Sequence, residues 1–170
     1  EMQGTITIES EEGVGSVFTI TLPFEIAAEQ PQTEQPAPAK AKDISGLHLL
    51  LVEDNALNAE IAAALLADRG VSVELARDGS EAVRMFREAP AGTYAGIIMD
   101  IMMPVMDGLT ATRAIRALER ADAKTIPIIA MTAHTMKGDA EKCLEAGMQD
   151  HIAKPIDPET LFAALQRARG

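Results

Sequence analysis

The segment IIMDIMMPVMDG, Ile97 to Gly108, decides how the rest of the chain is read. An apolar run leads straight into one carboxylate, Asp100, and a Met-Met-Pro loop then closes on Asp107 and Gly108. A continuous apolar strand is what a parallel sheet covered on both faces requires. When such a strand stops at an acid, the acid points at a cleft. Outward from this stretch the same texture recurs from about Ser45. LHLLLV (47–52), VSVEL (71–75), YAGIIM (94–99), IPIIAM (126–131) and DHIA (150–153) read as strands.

Helical patterns separate them. The first starts at a cap, Asp54 or Asn55, and repeats Leu57, Ile61 and Leu65 at helical spacing before Gly70 ends it. The second opens at Ser80 as cap. The third follows Gly108 with Leu109, Ile115 and Leu118 inward. The fourth runs from Lys137 to Glu145, and PETLFAALQRA (158–168) is the last. Five βα units in about 125 residues predict an α/β fold, a parallel five-stranded sheet with helices on both faces.

The N-terminal quarter differs. Ile6 and Ile8 share one face of a period-two run, and Phe18, Ile20 and Leu22 share one face of another, with Gly13 and Gly15 between them. This predicts a β-hairpin over residues 1–25 with one apolar side. A lone hairpin is marginal in water, so it is expected to belong to a larger domain. Residues 26–44, rich in Pro, Ala, Gln and Glu, read as a linker, and 45–170 as the α/β domain.

Composition narrows the function. The net charge of −11 argues against a basic face for nucleic acid, and aromatic residues at 3% leave an aliphatic, Met-rich core. No apolar run approaches the roughly 20 residues of a membrane helix, so no membrane contact is expected of this chain. The first residues lack the features of a signal peptide. A single cysteine, Cys143, excludes an internal disulfide framework and suits a reducing cytoplasm.

In a parallel sheet, ligands bind at the carboxyl ends of the strands. Glu53 and Asp54 follow the first α/β strand, Asp100 the third, Thr132 the fourth and Lys154 the fifth. Three close carboxylates cannot all stay ionised unaided, and a hard divalent cation such as Mg²⁺ suits that set. Mg²⁺ binds together with phosphate oxygens. That leaves Asp100 to attack phosphorus and form an acyl phosphate, with Lys154 and Thr132 on the remaining oxygens.

The motifs LLLVEDN, IIMDIMMPVMDG, IIAMTAH and AKPI, in this order and spacing, resemble those of response-regulator receiver domains. HTMKGDAEKCLEAGMQDHIAKPI is most similar to receivers fused to hybrid sensor histidine kinases. The resemblance implies a flavodoxin-like fold with strand order 2-1-3-4-5. It also implies Asp100 as phosphoacceptor, with Mg²⁺ held by Glu53, Asp54, Asp100 and the Met102 backbone carbonyl. Thr132 and Lys154 would hold the phosphoryl group, and Thr132 and the residue at the switch-aromatic position, here His151, would report it. Met102 and His134 fall at the family's two variable positions that tune phosphoryl lifetime. Met102 cannot orient water, so a long-lived phosphoaspartate is expected.

MQGTITIESEEGVGSVFTITLPF resembles the last strands of a histidine-kinase ATP-binding domain, without its nucleotide-contacting boxes. The chain is then expected to be the C-terminal part of a hybrid kinase with no kinase activity of its own. The implied donor is a phosphohistidine domain of its own or a sister histidine kinase, and the implied recipient is a histidine-phosphotransfer protein or the attached kinase. With no effector domain after Gly170, output through such a partner is expected. The competing reading is a pseudo-receiver, an interaction module that regulates the kinase without phosphorylation. An aspartyl phosphatase would carry a second acid at position 102, where Met102 stands, and no G-x-G-x-x-G or G-x-x-x-x-G-K follows a strand.

Overall fold

The computed structural model describes residues 5–11, 15–21, 44–133 and 137–168. The chain divides into two units, Glu1–Lys40 and Ala41–Gly170. The first holds the expected hairpin: β1 (Thr5–Glu11) pairs antiparallel with β2 (Gly15–Thr21), with Ile8 opposite Phe18. Ile6, Ile8 and Phe18 lie on one face and are 68%, 61% and 65% exposed, so the hairpin alone leaves its apolar side in water. Gly13, Leu22 and the linker up to residue 43 lie outside the described residues.

The second unit alternates strand and helix: β3 (His48–Val52), α1 (Ala56–Ala67), β4 (Ser72–Ala76), α2 (Gly79–Glu88), β5 (Gly96–Asp100), α3 (Gly108–Ala117), β6 (Ile128–Thr132), α4 (Lys137–Ala146), β7 (Asp150–Ala153) and α5 (Pro158–Ala168). The five strands are parallel in the order β4-β3-β5-β6-β7. Numbered within this unit, that is the expected 2-1-3-4-5.

The period of two along each strand divides the core into two compartments. Leu50, Val52, Ile97, Met99, Ile128 and Ala130 face one side, where Phe86, Ile115 and Cys143 of α2, α3 and α4 close over them. Leu49, Leu51, Ile98, Ile129 and Met131 face the other, against Leu66 of α1 and Leu161, Phe162 and Leu165 of α5. The central strands β5 and β6 are buried at every residue, which is why their sequences run apolar without alternation.

The buried face of α1 is Ala59, Ala62 and Leu66, while Leu57 and Ile61 of the apolar repeat stand 65% and 47% exposed. In a helix with small apolar residues all round, side-chain size does not reveal which side meets the sheet. The cap of α2 is Asp78, not Ser80. Asp78 is in extended conformation, and its carboxylate accepts the N–H groups of Ser80 and Glu81 at 2.7 and 2.9 Å. The caps of α1 and α3 are Asn55 and Asp107.

Arginines tie the loops at the amino ends of the strands, opposite the carboxyl ends. Arg116 donates to the carbonyls of Ala123, Ile126 and Gly147, joining α3 to the turn after α4. Arg120 lies over the Phe86 ring and pairs with Asp122 at 2.6 Å, while the Asp122 carboxylate also accepts from Gly92 N–H at 2.9 Å. The hydrogen bonds from Arg120, ahead of those from the backbone, hold the Asp122 carboxyl down at about 2 against an ordinary 3.8. Its folded value is depressed, so its stabilisation is complete above pH 4 and is lost as the pH falls toward 2. Asp122→Asn is therefore expected to cost about 1 kcal/mol at pH 7. It should also flatten the acid limb of the stability curve between pH 4 and 2, as read by urea unfolding at stepped pH.

Candidate functional site

The site is built at the carboxyl ends of β3, β5, β6 and β7. Asp100 is the last residue of β5 and Thr132 the last of β6; Glu53 directly follows β3, and Lys154 directly follows β7. Glu53, Asp100 and Thr132 are 2%, 4% and 8% exposed, while Asp54 is open to solvent. β3, β5 and β6 fix their terminal residues because their side chains alternate into both cores, and β7 is anchored by Ile152.

Lys154 organises the centre. Its Nζ donates to Glu53 Oε2 at 2.6 Å and to Asp100 Oδ2 at 2.7 Å. Its backbone N–H donates to the Thr132 carbonyl at 2.8 Å, and the Lys154–Pro155 peptide is cis. The second Asp100 oxygen, Oδ1, takes a long contact of 3.3 Å from the N–H of Met102. Burial pushes the Asp100 carboxyl above its ordinary value, even against the adjacent ammonium. Burial acts to lower Lys154, but its hydrogen bonds to Asp100 and Glu53 outweigh it and hold the amine above its ordinary value. The ammonium therefore keeps its proton throughout the neutral range.

Glycine allows the loop after β5 to close. A Cβ on Gly108 would sit 2.1 Å from the Asp100 carbonyl oxygen, so nothing larger fits where the start of α3 crosses the end of β5. At the tip of this loop Val105 adopts φ +67° and is 86% exposed, a left-handed conformation that β-branched residues rarely take. Met102 is 71% exposed beside it.

One oxygen from each of Glu53, Asp54 and Asp100 lies within 4.8 Å of the others. Two of the three carboxylates share one ammonium and Asp54 adds a further negative charge; this excess, with oxygen donors only, fits a hard divalent cation. Thus Glu53, Asp54, Asp100, Thr132 and Lys154 come together as the sequence predicts. His151 lies exposed on β7, and His134 falls outside the described residues. One participant is not legible from motifs: Asn58, on the first turn of α1, whose amide Nδ2 donates to Glu53 Oε1 at 3.0 Å. Its only signal is a poor helix former placed just inside a helix.

The chain belongs to the response regulator receiver domain family, whose model matches residues 49–166. It is 44% identical over 119 residues to hybrid signal transduction histidine kinase I of Dictyostelium discoideum, covering 69% of this chain and 7% of that protein. The crystal structure of the receiver domain of the sensor histidine kinase PA1611 from Pseudomonas aeruginosa superposes with a TM-score of 0.66. The identity is 44%, covering 74% of this chain and 99% of that one, and that receiver holds a magnesium ion in its active site cleft. The receiver domain of Ssk1 from Saccharomyces cerevisiae, crystallised with the histidine phosphotransfer protein Ypd1, matches with a TM-score of 0.59. Here the identity is 31%, over 68% of this chain and 83% of that one. The chain spans 7% to 20% of the length of the first curated relatives it matches. It is a receiver domain, similar to those carried by hybrid histidine kinases.

The excess of acid over base has a measurable consequence. With a chelator and at low ionic strength, Asp54→Asn is expected to raise unfolding stability by up to about 1 kcal/mol, because one of three mutually repelling charges is removed. A saturating divalent cation should reverse the order of the two proteins. Urea titrations with and without the cation check both statements.

Proposed function

We propose that this chain receives a phosphoryl group from a phosphohistidine onto Asp100 and changes its partner-binding surface in response. The observation that carries this reading is the Lys154 ammonium held between Glu53 and Asp100 at the strand ends. Lys154 offsets part of the burial cost of the Asp100 carboxylate and stands where its ammonium can meet an incoming phosphoryl oxygen. Asp100 forms the P–O bond as the P–N bond of the donor breaks, and the electron pair returns to the donor imidazole. The product is an acyl phosphate.

Glu53, Asp54, Asp100 and the Met102 carbonyl would hold Mg²⁺, which neutralises charge on the phosphoryl oxygens when bound. The Thr132 hydroxyl, fixed at the end of β6, donates to a phosphoryl oxygen and reports its arrival. Lys154 shares this event through its backbone bond to Thr132. Pulling on these two groups biases β7 and α4, and this displaces the equilibrium between two conformations.

The donor and recipient meet the domain along α1. Leu57 and Ile61 are apolar and exposed on that helix. Next to them a cavity of about 390 Å³ is lined by Asn58, Ile61, Lys154, Pro155 and Ile156. Its apolar rim around a reactive centre suits the helical face of a histidine-phosphotransfer protein, as does the co-crystallised pair of Ypd1 and the Ssk1 receiver. The hairpin fits the end of a histidine-kinase ATP-binding domain, whose remaining strands would cover Ile6, Ile8 and Phe18.

Intact mass after incubation with acetyl phosphate and Mg²⁺ tests the chemistry. One added phosphoryl group is expected, lost in Asp100→Asn and in EDTA. Retention of the group in Asp100→Asn would place the acceptor elsewhere, and no addition to a cation-binding wild type would favour the interaction module. Leu57→Asp with Ile61→Asp is expected to leave labelling by acetyl phosphate intact, since neither side chain is buried. The same pair should slow transfer from phosphorylated Ypd1 at least tenfold, followed by radiolabel transfer on gels.

A further inference from the structure

Glu53 is the most buried charged group among the described residues, with a side chain only 1% exposed. A carboxylate in that position needs a donor on each oxygen, because an unmet lone pair retains its full desolvation cost. Lys154 satisfies Oε2. On Oε1 the backbone N–H of Asn55 reaches only to 3.4 Å, and the Asn58 amide at 3.0 Å is the effective donor. An ionised carboxylate can only accept, so the atom of Asn58 facing Glu53 must be the NH₂ group.

Helix formation does not account for an asparagine here. The N-terminus of α1 is capped by the side chain of Asn55, which takes the N–H groups of Leu57 and Asn58 at 3.0 and 3.2 Å. Asn58 therefore contributes its own N–H to the cap and no capping acceptor. It sits inside the first turn, where alanine would favour the helix by roughly half a kcal/mol. Its side chain is directed instead at Glu53 and forms one wall of the cavity beside Lys154.

We infer that Asn58 is a positioning residue of the phosphoryl site. Its amide fixes the rotation of the Glu53 carboxylate, so that Glu53 offers one oxygen to Lys154 and the ammonium stays shared with Asp100. Without that amide, Glu53 turns both oxygens to Lys154 and draws Nζ away from Asp100. Two things then change together. The carboxylates are no longer arranged for a cation, and Asp100 loses part of the charge that meets the phosphoryl group. This inference rests on the reading of Asp100 as acceptor, but its first consequence concerns cation binding alone.

The test compares wild type, Asn58→Ala, Glu53→Ala and the double variant. Calorimetric titration with Mg²⁺, in the absence of any phosphodonor, gives the cation affinity. Asn58→Ala is expected to weaken it about tenfold, as for other groups that orient a ligand from behind. Thermal unfolding in EDTA should show no large loss of stability, and uptake from acetyl phosphate at subsaturating Mg²⁺ should slow in parallel. In the Glu53→Ala background the same substitution should change the affinity by less than about twofold, because Asn58 acts through Glu53. An unchanged affinity in Asn58→Ala, or an equal loss in both backgrounds, overturns the proposal. If wild type binds Mg²⁺ but takes no phosphoryl group, the acceptor reading fails while the affinity arms still decide the role of Asn58.

Discussion

Two buried carboxylates on neighbouring strands face one ammonium, and the domain is arranged around that arrangement. Glu53 and Asp100 are held a few ångströms apart by strands whose side chains are locked on both faces, so neither can retreat from the other. Lys154 arrives from the far end of the sheet, across β6, and its position depends on the backbone bond to Thr132. The pair is stable enough to exist because the ammonium is shared. It remains poised because a single positive charge cannot neutralise both carboxylates together with Asp54. A strong opposite charge or a new covalent bond at Asp100 therefore redistributes Lys154, and with it the end of β7.

The loop after β5 carries a different constraint. Gly108 lets the start of α3 cross against the Asp100 carbonyl, and the intervening residues have to turn tightly to return there. Val105 bears that turn at positive φ, where asparagine or glycine would sit without strain. Met102, exposed beside this tip, contacts Asp100 through its backbone N–H.

Much of this was legible in the sequence. Asp100, Glu53, Asp54, Thr132 and Lys154 could be placed because each ends or directly follows an apolar strand, and in a parallel sheet strand ends converge. The strands were readable because burial on both faces removes polar residues from them altogether. What stayed hidden was the orientation of α1 and the role of Asn58. Alanines at 59 and 62 bury without any contrast in hydrophobicity, while the larger Leu57 and Ile61 are the exposed ones. Asn58 carries no motif of its own, because an amide that supports a carboxylate from behind has no fixed spacing to it. The clamps of Arg116 were equally silent, since backbone carbonyl acceptors leave no trace in residue identity.

The partition of the core by the sheet also has a bearing on how such a domain can diverge. The side chains beneath α1 and α5 and those beneath α2, α3 and α4 form separate clusters with no member in common. The two clusters share strand backbone, since consecutive residues such as Leu49 and Leu50 pack into different ones, but they share no side chain. The outer surface of α1 can change without altering the side chains packed under α3 and α4. The reverse holds as well.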